Sequence, residues 1–478
     1  MRPHGAGRAG TLEDVRIVGL VILLVVASTA AACTTSVTGS PVGTGSVVTK
    51  HDPNTPGVDP SFVHDTDGSE IDRLAATVVT DVMDYWRQNF PATFGTEWKD
   101  LTGGFYSVDT ARAKSEAPPC ARRSIDVEGN AFYCPTEDVI AWDRSALLPV
   151  LRDRFGEASV MLVLAHEMGH AVQRRAGLTV AEQRSNPDKY PTILVEAQAD
   201  CYAGSFVRWV ADGKAAHLQV GKDRLDSALE SLITFRDPIG TDQGDKGAHG
   251  DAFDRVSAFQ DGYDQGLKLC ADMSVANRKF TLRGFTDAGD AERGGNLPFD
   301  QLVKSMTEDL NSFFNTTVTQ AGKRWTNLTP QTGEANVDCA GNDQGPIAFC
   351  PSPAGGGEVK VAKDKLADLH SEIGDYATGT ILASRFGLAA VSALGKPLDG
   401  ADAQRQVLCL AGAYTGQLIT RTSGFFLSPG DLDEAVQVLL QYDYAGRDGA
   451  GKAIGAGYER VSVFRSGAVG GAPACSVS

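Results

Sequence analysis

Histidine and positive charge are both scarce in this sequence of 478 residues. It contains 8 histidines, and its 44 lysines and arginines are outnumbered by 60 acidic residues, which gives a formal net charge of −16. Nucleic-acid binding needs a basic surface, so this balance argues against a nucleic-acid partner. The sequence also lacks a G-x-S-x-G segment, the usual sign of a nucleophilic serine. With 42% apolar residues, the chain is globular and long enough for two domains.

Long apolar runs are lacking as well, except near the N-terminus. Arginines precede an apolar stretch from Ile17 to Ala27, and an alanine-rich end leads to Cys33. This pattern predicts a signal peptide over residues 1–32. Its end resembles a bacterial lipobox with Ala30 in place of the usual leucine, so we expect a lipid anchor on Cys33 at the outer face of the bacterial cell membrane. The alternative is a single uncleaved membrane span, although roughly 16 apolar residues fall short of the about 20 that a bilayer requires.

One apolar stretch contains an H-E-x-x-H sequence, at His166, Glu167 and His170. Residues four apart lie on the same face of an α-helix, so the two imidazoles can bind one metal ion, and zinc suits them. Glu167 can then take a proton from a metal-bound water. The plain alternative is two histidines that share a helix face by coincidence. The motif helix is predicted to run from Ala158 to Arg175, with Gly177 as its C-terminal cap.

Acidic residues follow on a second predicted helix, from about Thr192 to Ala211. Glu196 would complete a site of three protein ligands with the fourth position open to water. Asp200 lies one turn further on the same face, where it could accept the free N–H of a ligand histidine. The alternative is that both carboxylates occupy a solvated helix face.

Local patterns predict other elements around these helices. A helix with apolar residues from Ile71 onward is expected to end before Pro91, and short strands are expected at 131–133 and 139–142.

In combination, these motifs resemble the bacterial neutral zinc metallopeptidase family. The resemblance rests on the following segments: His166-Glu167-Met168-Gly169-His170 with Gln173, Glu196 to Gly204, and His249-Gly250 followed by Asp254-Arg255-Val256, Phe259 and Gly262-Tyr263. It implies a zincin-like domain and hydrolysis of a peptide or protein substrate. It also implies one Zn²⁺ per chain, held by His166, His170 and Glu196 with Glu167 as the base.

The second half of the chain resembles a copy of the first. The matching segments are Phe299-Asp300-x-Leu302 with Ile71-Asp72-x-Leu74, Ala348 to Pro351 with Phe132 to Pro135, and Glu459 to Phe464 with Asp254 to Phe259. Such ordered matches predict a tandem duplication. The alternative is that the halves share only a generic helix pattern.

The second copy has lost the metal-binding residues. Aligned positions replace the motif and its partners as follows: His166 by Ser384, Glu167 by Arg385, His170 by Leu388, Glu196 by Leu408 and His249 by Ile454. We therefore expect the copy to be free of metal. The loss of His249 together with every ligand suggests a catalytic role for this histidine, such as stabilising the oxyanion of a tetrahedral intermediate. The alternative is a surface histidine before a helix.

Eight cysteines remain once Cys33 is set aside, an even number that fits an oxidising compartment. The repeat suggests these disulfide pairs: Cys120–Cys134, Cys201–Cys270, Cys339–Cys350 and Cys409–Cys475. A rival reading makes Cys201 a thiolate ligand of the metal.

These observations predict a mainly α protein with a few short strands, built as two tandem zincin-like domains. The expected segments are the signal peptide 1–32, a flexible tether 33–63, a metallopeptidase-like domain 64–286, a linker 287–297 and a degenerate copy 298–478. The predicted function is that of a cell-envelope zinc metallopeptidase, an endopeptidase. The alternative is a zinc-binding or pseudo-enzyme lipoprotein that recruits a partner. The sequence leaves the oligomeric state open.

Overall fold

Helices dominate the structure, as the three- and four-residue spacing of apolar side chains predicts. The structure is a computed structural model that describes residues 57–112, 115–221, 224–245, 247–333, 337–353 and 355–477. Its first helices are α1 Glu70–Phe94, α2 Leu147–Phe155, α3 Glu157–Arg175, α4 Val180–Ser185, α5 Thr192–Ala211, α6 Leu225–Thr234, α7 Ala252–Gln265 and α8 Leu267–Ala271. Those that follow are α9 Ala288–Glu292, α10 Phe299–Gln320, α11 Lys363–Glu372, α12 Asp375–Ala393, α13 Ala401–Leu418, α14 Asp431–Gln441 and α15 Gly457–Gly470.

Two small sheets accompany these helices, which confirms the expected fold class. The strands are β1 Gly104–Val108, β2 Ala131–Cys134, β3 Val139–Asp143, β4 Gln331–Thr332, β5 Ile347–Pro351 and β6 Gly357–Val361. The first sheet has the order β1-β3-β2, with β1 parallel and β2 antiparallel to β3. The second has the order β4-β6-β5 with the same pattern of directions.

Helix α1 does not end where the sequence predicts. It continues through Pro91 to Phe94, and Gly95 caps it with an N–H bond to the Pro91 carbonyl. A proline removes only its own N–H from the helix ladder, and in the last turn the loss is limited to one bond. The prediction that the helix ends before Pro91 is therefore wrong.

Small residues let three helices approach closely around the H-E-x-x-H motif. A Cβ atom on Gly169 of α3 would lie 3.0 Å from the Cα atom of Ala199 on α5. A Cβ atom on Gly204 of α5 would lie 2.0 Å from the Phe259 carbonyl oxygen on α7, and one on Gly262 would lie 1.8 Å from the Cys201 carbonyl oxygen. Helix α5 is thus packed directly between α3 and α7.

The two halves contain the same order of elements, which supports the predicted duplication. In the first half, α1 is followed by a three-stranded sheet and by the crossing of α3 with α5. In the second half, α10 is followed by the second sheet and by the crossing of α12 with α13. Gly204 and Gly412 face the carbonyls of Phe259 and Phe464 in the same way. Both halves contribute to one apolar core, and the described residues form one compact unit, so the division into two domains stays a prediction.

The helix crossings correct one predicted correspondence between the halves. A Cβ atom on Gly169 would meet Ala199, and a Cβ atom on Gly387 would meet Val407. This register pairs Glu196 with Gln404 and Asp200 with Leu408. The predicted match of Glu196 to Leu408 is therefore wrong. The matched cysteines Cys201 and Cys409 have the same offset as Glu196 and Gln404, so the helix crossing agrees with the cysteine alignment.

The halves cap one another's helices. Asp226, in the first turn of α6, accepts the Gly457 and Tyr458 N–H groups at the start of α15, at 2.6 and 2.7 Å. Asp433, in the first turn of α14, accepts the Ala252 N–H at the start of α7, at 2.7 Å. Since free N–H groups at a helix start need acceptors, each half completes a helix of the other.

The four predicted disulfide pairs are all formed. They are Cys120–Cys134, Cys201–Cys270, Cys339–Cys350 and Cys409–Cys475. The bond from Cys201 links α5 to α8, so this sulfur is not a thiolate ligand. Its counterpart from Cys409 links α13 to the 3₁₀ turn Ala472–Cys475.

The N-terminal predictions lie mostly outside the described residues. The signal peptide, Cys33 and the tether up to residue 56 belong to this part of the chain. Residues 287–297, predicted as a linker, include α9. Among the described residues, no helix combines the length and the apolar character needed to cross a bilayer.

The close approach of α5 to α7 predicts the effect of adding one methyl group. We expect Gly204→Ala to lower the free energy of unfolding by about 1–3 kcal/mol, because the new Cβ would overlap the backbone of Phe259. Gly455→Ala serves as the control, since nothing lies within 4 Å of a Cβ built there. Urea unfolding followed by circular dichroism measures both, and equal stabilities would contradict the packing described here.

Candidate metal centre

Helix α3 buries the H-E-x-x-H motif at the bottom of a cleft. His166 and His170 lie one turn apart, and their rings meet edge to face with centroids 4.8 Å apart. His166 is 6% exposed and Glu167 is 9% exposed. The apolar residues on either side of the motif pack into the core, so the helix cannot rotate to present another face.

Glu196 of α5 completes a set of three ligand atoms. Its Oε2 atom lies 3.1 Å from His166 Nε2 and 3.4 Å from His170 Nε2. Tetrahedral zinc with bonds of about 2.0 Å separates its ligand atoms by roughly 3.3 Å. The donor set of two imidazole nitrogens and one carboxylate oxygen therefore fits zinc, and three protein ligands leave a fourth position for water.

Each ligand histidine is oriented by a hydrogen bond at its other nitrogen. His166 Nδ1 lies 2.7 Å from Asp200 Oδ1, and His170 Nδ1 lies 3.0 Å from Gln173 Oε1. When these nitrogens donate, both Nε2 atoms are left free to bind a metal. The side-chain amide of Gln173 donates in turn to the Val195 carbonyl at 2.6 Å, which fixes its orientation.

Arg255 of α7 holds the Asp200 carboxylate from behind. Its Nε and Nη2 atoms donate to the two oxygens of Asp200 at 2.9 and 3.0 Å, and Nη1 donates to the Phe235 carbonyl at 2.7 Å. The sequence predicted the position of Asp200 but assigned no role to Gln173 or Arg255. Both belong to the segments that carry the family resemblance, and Gln173 lies three residues after His170 on the same helix face.

Buried charges determine the protonation of the site. Burial alone would lower the pKa of His166, but the charge and hydrogen bond of Asp200, with Glu196, raise this pKa to about 10. Burial would raise the pKa of Glu196, yet the two histidines hold it well below its usual range. The carboxylates therefore favour a positive charge between the two rings, which is the place of the metal.

The pKa of Glu167 responds differently. Its burial raises this pKa above the ordinary value, although the neighbouring histidines act to lower it. A carboxylate with a raised pKa is better suited to accept and return a proton near neutral pH. The burial and raised pKa of Glu167 are compatible with the role of base that the sequence predicts, and that role stays a prediction.

The cleft above the motif has a volume of about 420 Å³ and also contains His249. His249 is half exposed and lies beside Asp237, with Nδ1 to Oδ1 at 3.3 Å, while its backbone N–H donates to Asp237 at 2.7 Å. The structure thus brings His249 to the same cleft as the three ligands. The wall of the cleft includes Gly129 to Tyr133, Leu147, Leu162, Val163, Leu232 and Phe235.

The equivalent place in the second half is filled. Arg385 occupies the position of Glu167, is fully buried, and donates to the Arg447 carbonyl at 2.6 Å and to Gln344 Oε1 at 3.1 Å. Ser384 and Leu388 beside it are buried as well. Without imidazole or carboxylate ligands, this position offers no place for zinc.

Comparison with known proteins agrees with this geometry. A model of the family described as "putative neutral zinc metallopeptidase" matches residues 2–272, which is more than half of the chain. The chain belongs to this family. Membership implies zinc and metallopeptidase-like chemistry, and the three-ligand site lies within the matched residues, whereas the match ends before the second half.

Two curated relatives are similar to part of the chain. Both are described as the uncharacterized protein YpfJ, from Escherichia coli strain K12 and from Escherichia coli O6:H1 strain CFT073. Each is 28% identical over 155 residues, which cover 28% of this chain and 50% of the relative. The chain thus spans about half the length of these relatives. No solved structure matches the chain.

Weakening the hydrogen bond between Asp200 and His166 should lower the affinity of the site for zinc. We expect Asp200→Asn to lower zinc affinity by about 10- to 100-fold, because the ring loses its charged acceptor. Asp212→Asn, at the exposed end of α5, is the matched control and should bind zinc normally. Competition with a chromophoric chelator measures both, and equal affinities would argue against a role for Asp200.

The raised pKa of His166 predicts that protons compete with zinc. Below its metal-free pKa of about 10, His166 holds a proton that zinc must displace, so apparent zinc affinity should increase with pH. Because zinc displaces this one proton from His166, we expect up to about a tenfold increase per pH unit between pH 6 and 9. Titration calorimetry in buffers with different ionisation enthalpies counts the released protons. Zinc binding without proton release would contradict this protonation state.

Proposed function

We propose that this chain is a zinc-dependent endopeptidase of the cell envelope. The observation that carries the proposal is the convergence of His166, His170 and Glu196, with Glu167 beside them, at the bottom of an open cleft. Three protein ligands with an open fourth position are typical of catalytic zinc rather than structural zinc.

The proposed reaction is hydrolysis of a peptide bond by an activated water. When bound, zinc supplies a polarised carbonyl and a water whose pKa lies near about 7. Glu167 takes the proton of the attacking water and passes it to the leaving amine nitrogen. Asp200 and Gln173 hold the histidine rings in one orientation throughout, and Arg255 keeps Asp200 ionised, with its pKa lowered to about 2 despite burial.

An extended peptide fits the shape of the cleft. Among the described residues, strand β2 pairs with β3 along one edge only. At its other edge the Tyr133 N–H donates to Glu167, and Asn130 to Tyr133 line the cleft. An open strand edge can pair with an extended chain through backbone hydrogen bonds. Leu162, Leu232 and Phe235 supply an apolar surface for a side chain of the substrate. These features support cleavage within a polypeptide.

His249 is proposed to stabilise the oxyanion of the tetrahedral intermediate. It lines the same cleft as the ligands, and its ring is oriented by Asp237. The hydrogen bond of Asp237 raises the pKa of His249, although burial acts in the opposite direction. A larger fraction of the rings therefore carries a positive charge at a given pH, and that charge stabilises developing negative charge.

An exported location is part of the proposal. The eight cysteines of the described residues form four disulfides, which persist in oxidising compartments and are rare in the bacterial cytosol. The proposed signal peptide and the lipid on Cys33 would place the folded part at the outer face of the membrane. A single N-terminal membrane span remains the alternative anchor.

Replacing the base tests the reaction. We expect Glu167→Gln to retain stoichiometric zinc but to reduce cleavage of an unfolded protein substrate by about 10²- to 10⁴-fold, because the amide cannot accept the water proton. Glu157→Gln, ten residues earlier at the start of the same helix, is the matched control and should retain activity. Unchanged cleavage by Glu167→Gln, or no cleavage by the unmodified chain, would favour the alternative of a zinc-binding lipoprotein that recruits a partner.

Replacing His249 tests its separate role. We expect His249→Ala to keep full zinc content and to lower kcat by about 10- to 10³-fold, with a smaller change in KM, since the lost hydrogen bond forms mainly in the transition state. His64→Ala, an exposed histidine that does not line the cleft, is the control. Undiminished kcat in His249→Ala would refute a role in catalysis.

A further inference from the structure

A cluster of buried carboxylates lies in the second half of the chain. One carboxylate oxygen from each of Asp375, Asp431 and Glu434 lies within 4.8 Å of the other two. The residues are 2%, 4% and 6% exposed. Asp375 begins α12, and the other two lie in the first turn of α14. Burying three carboxylates side by side costs several kcal/mol per charge, so the cluster requires positive charge or bound protons.

Two oxygens of this cluster have no partner. Asp375 accepts the Leu297 N–H through Oδ2, and Asp431 accepts the Ser428 N–H through Oδ2, at 2.7 and 2.8 Å. The Oδ1 atom of each is buried and accepts no hydrogen bond from any described residue. Buried polar atoms are almost always satisfied, so these two carboxylate oxygens lack a partner, which is either a bound cation or a shared proton.

Nearby arginines do not fill this gap. The charge of Arg283 acts on Asp431, but its guanidinium donates to the carbonyls of Ile419 and Leu427. Arg293 acts on Asp375 and pairs at 3.6 Å with Asp290. The backbone also makes room for the cluster, because a Cβ atom on Gly374 would lie 2.0 Å from the Glu434 carboxyl carbon.

We propose that Asp375, Asp431 and Glu434 bind a calcium ion, so the second half, which the sequence predicts to be free of metal, would lack zinc but hold calcium. Calcium binds oxygen ligands at 2.3–2.6 Å, so two oxygens on one ion lie at most about 5 Å apart, as they do here. Calcium accepts carboxylates through one or both oxygens in a flexible geometry, whereas magnesium demands near-ideal octahedral geometry and retains several of its waters.

The ion would stabilise the contact between the two halves. Asp433 lies between Asp431 and Glu434, and it accepts the Ala252 N–H and forms an ion pair with Arg236 at 2.6 Å. Arg236 lies between Phe235 and Asp237 in the chain. The Phe235 carbonyl accepts a hydrogen bond from Arg255, and the Asp237 carboxylate contacts His249 of the cleft. Calcium at the start of α14 thus fixes the turn that supports this side of the cleft.

Calcium binding can be tested in a full-length chain that does not bind zinc. In His166→Ala we expect one calcium per chain by equilibrium dialysis with elemental analysis. We also expect a melting temperature that rises with calcium concentration and much less with magnesium, at matched ionic strength. The zinc-saturated unmodified chain should show the same calcium-dependent shift. Absence of saturable calcium binding in both proteins would overturn the proposal and leave the zinc site untouched.

Variants of the cluster locate the ion. Asp431→Asn, with the unmodified motif, should abolish calcium binding and the calcium-dependent shift in melting temperature. Asp402→Asn, in the exposed first turn of α13, should retain both. Calcium binding that survives Asp431→Asn would overturn the assignment. The assignment would also be overturned if Asp431→Asn melts at a higher temperature than the unmodified chain while the unmodified chain shows no calcium dependence. The carboxylates would then hold protons. If Asp431→Asn does not fold, the calcium titration of the other two proteins decides the question.

Discussion

The close packing of α5 between α3 and α7 is the constraint on which the metal centre depends. Helix α3 supplies His166 and His170, α5 supplies Glu196 and Asp200, and α7 supplies Arg255. The ligand atoms come within 3.1 to 3.4 Å only because the helix backbones approach closely, and glycines at the crossings permit this. The Cys201–Cys270 disulfide links α5 to α8, the helix that follows α7.

The packing explains the electrostatics of the site. The Glu196 carboxylate and the two imidazoles would surround the proposed ion. The His166 ring contacts the Asp200 carboxylate, which in turn pairs with the Arg255 guanidinium. In a buried site each charge is tolerated only because the next one compensates for it. Removing one member therefore disturbs the rest, and the outer residues Asp200, Arg255 and Gln173 matter to the metal although they do not touch it.

The second half keeps the scaffold without the chemistry. Its helices cross in the same register, yet the place of Glu167 is taken by the buried guanidinium of Arg385. Its contacts with the first half include two acidic caps, in which Asp433 of α14 caps α7 and Asp226 of α6 caps α15. The Asp433 cap lies next to the proposed calcium ligands and at the start of the helix that carries Arg255. A half without catalytic residues thereby supports the half that has them.

The sequence by itself determined the local features of this protein. The spacing of His166, Glu167 and His170 predicts a helix with a shared face, and apolar periodicity predicted the fold class and the bounds of α3 and α5. The matching order of cysteines in the two halves identified all four disulfide pairs. Only the tertiary structure decided which residues meet across helices. The ion pair of Arg255 with Asp200 and the bond from Gln173 to the Val195 carbonyl depend on how far one helix slides and rotates against another. That relation is fixed by side-chain packing between distant segments and leaves little periodic trace in either segment alone.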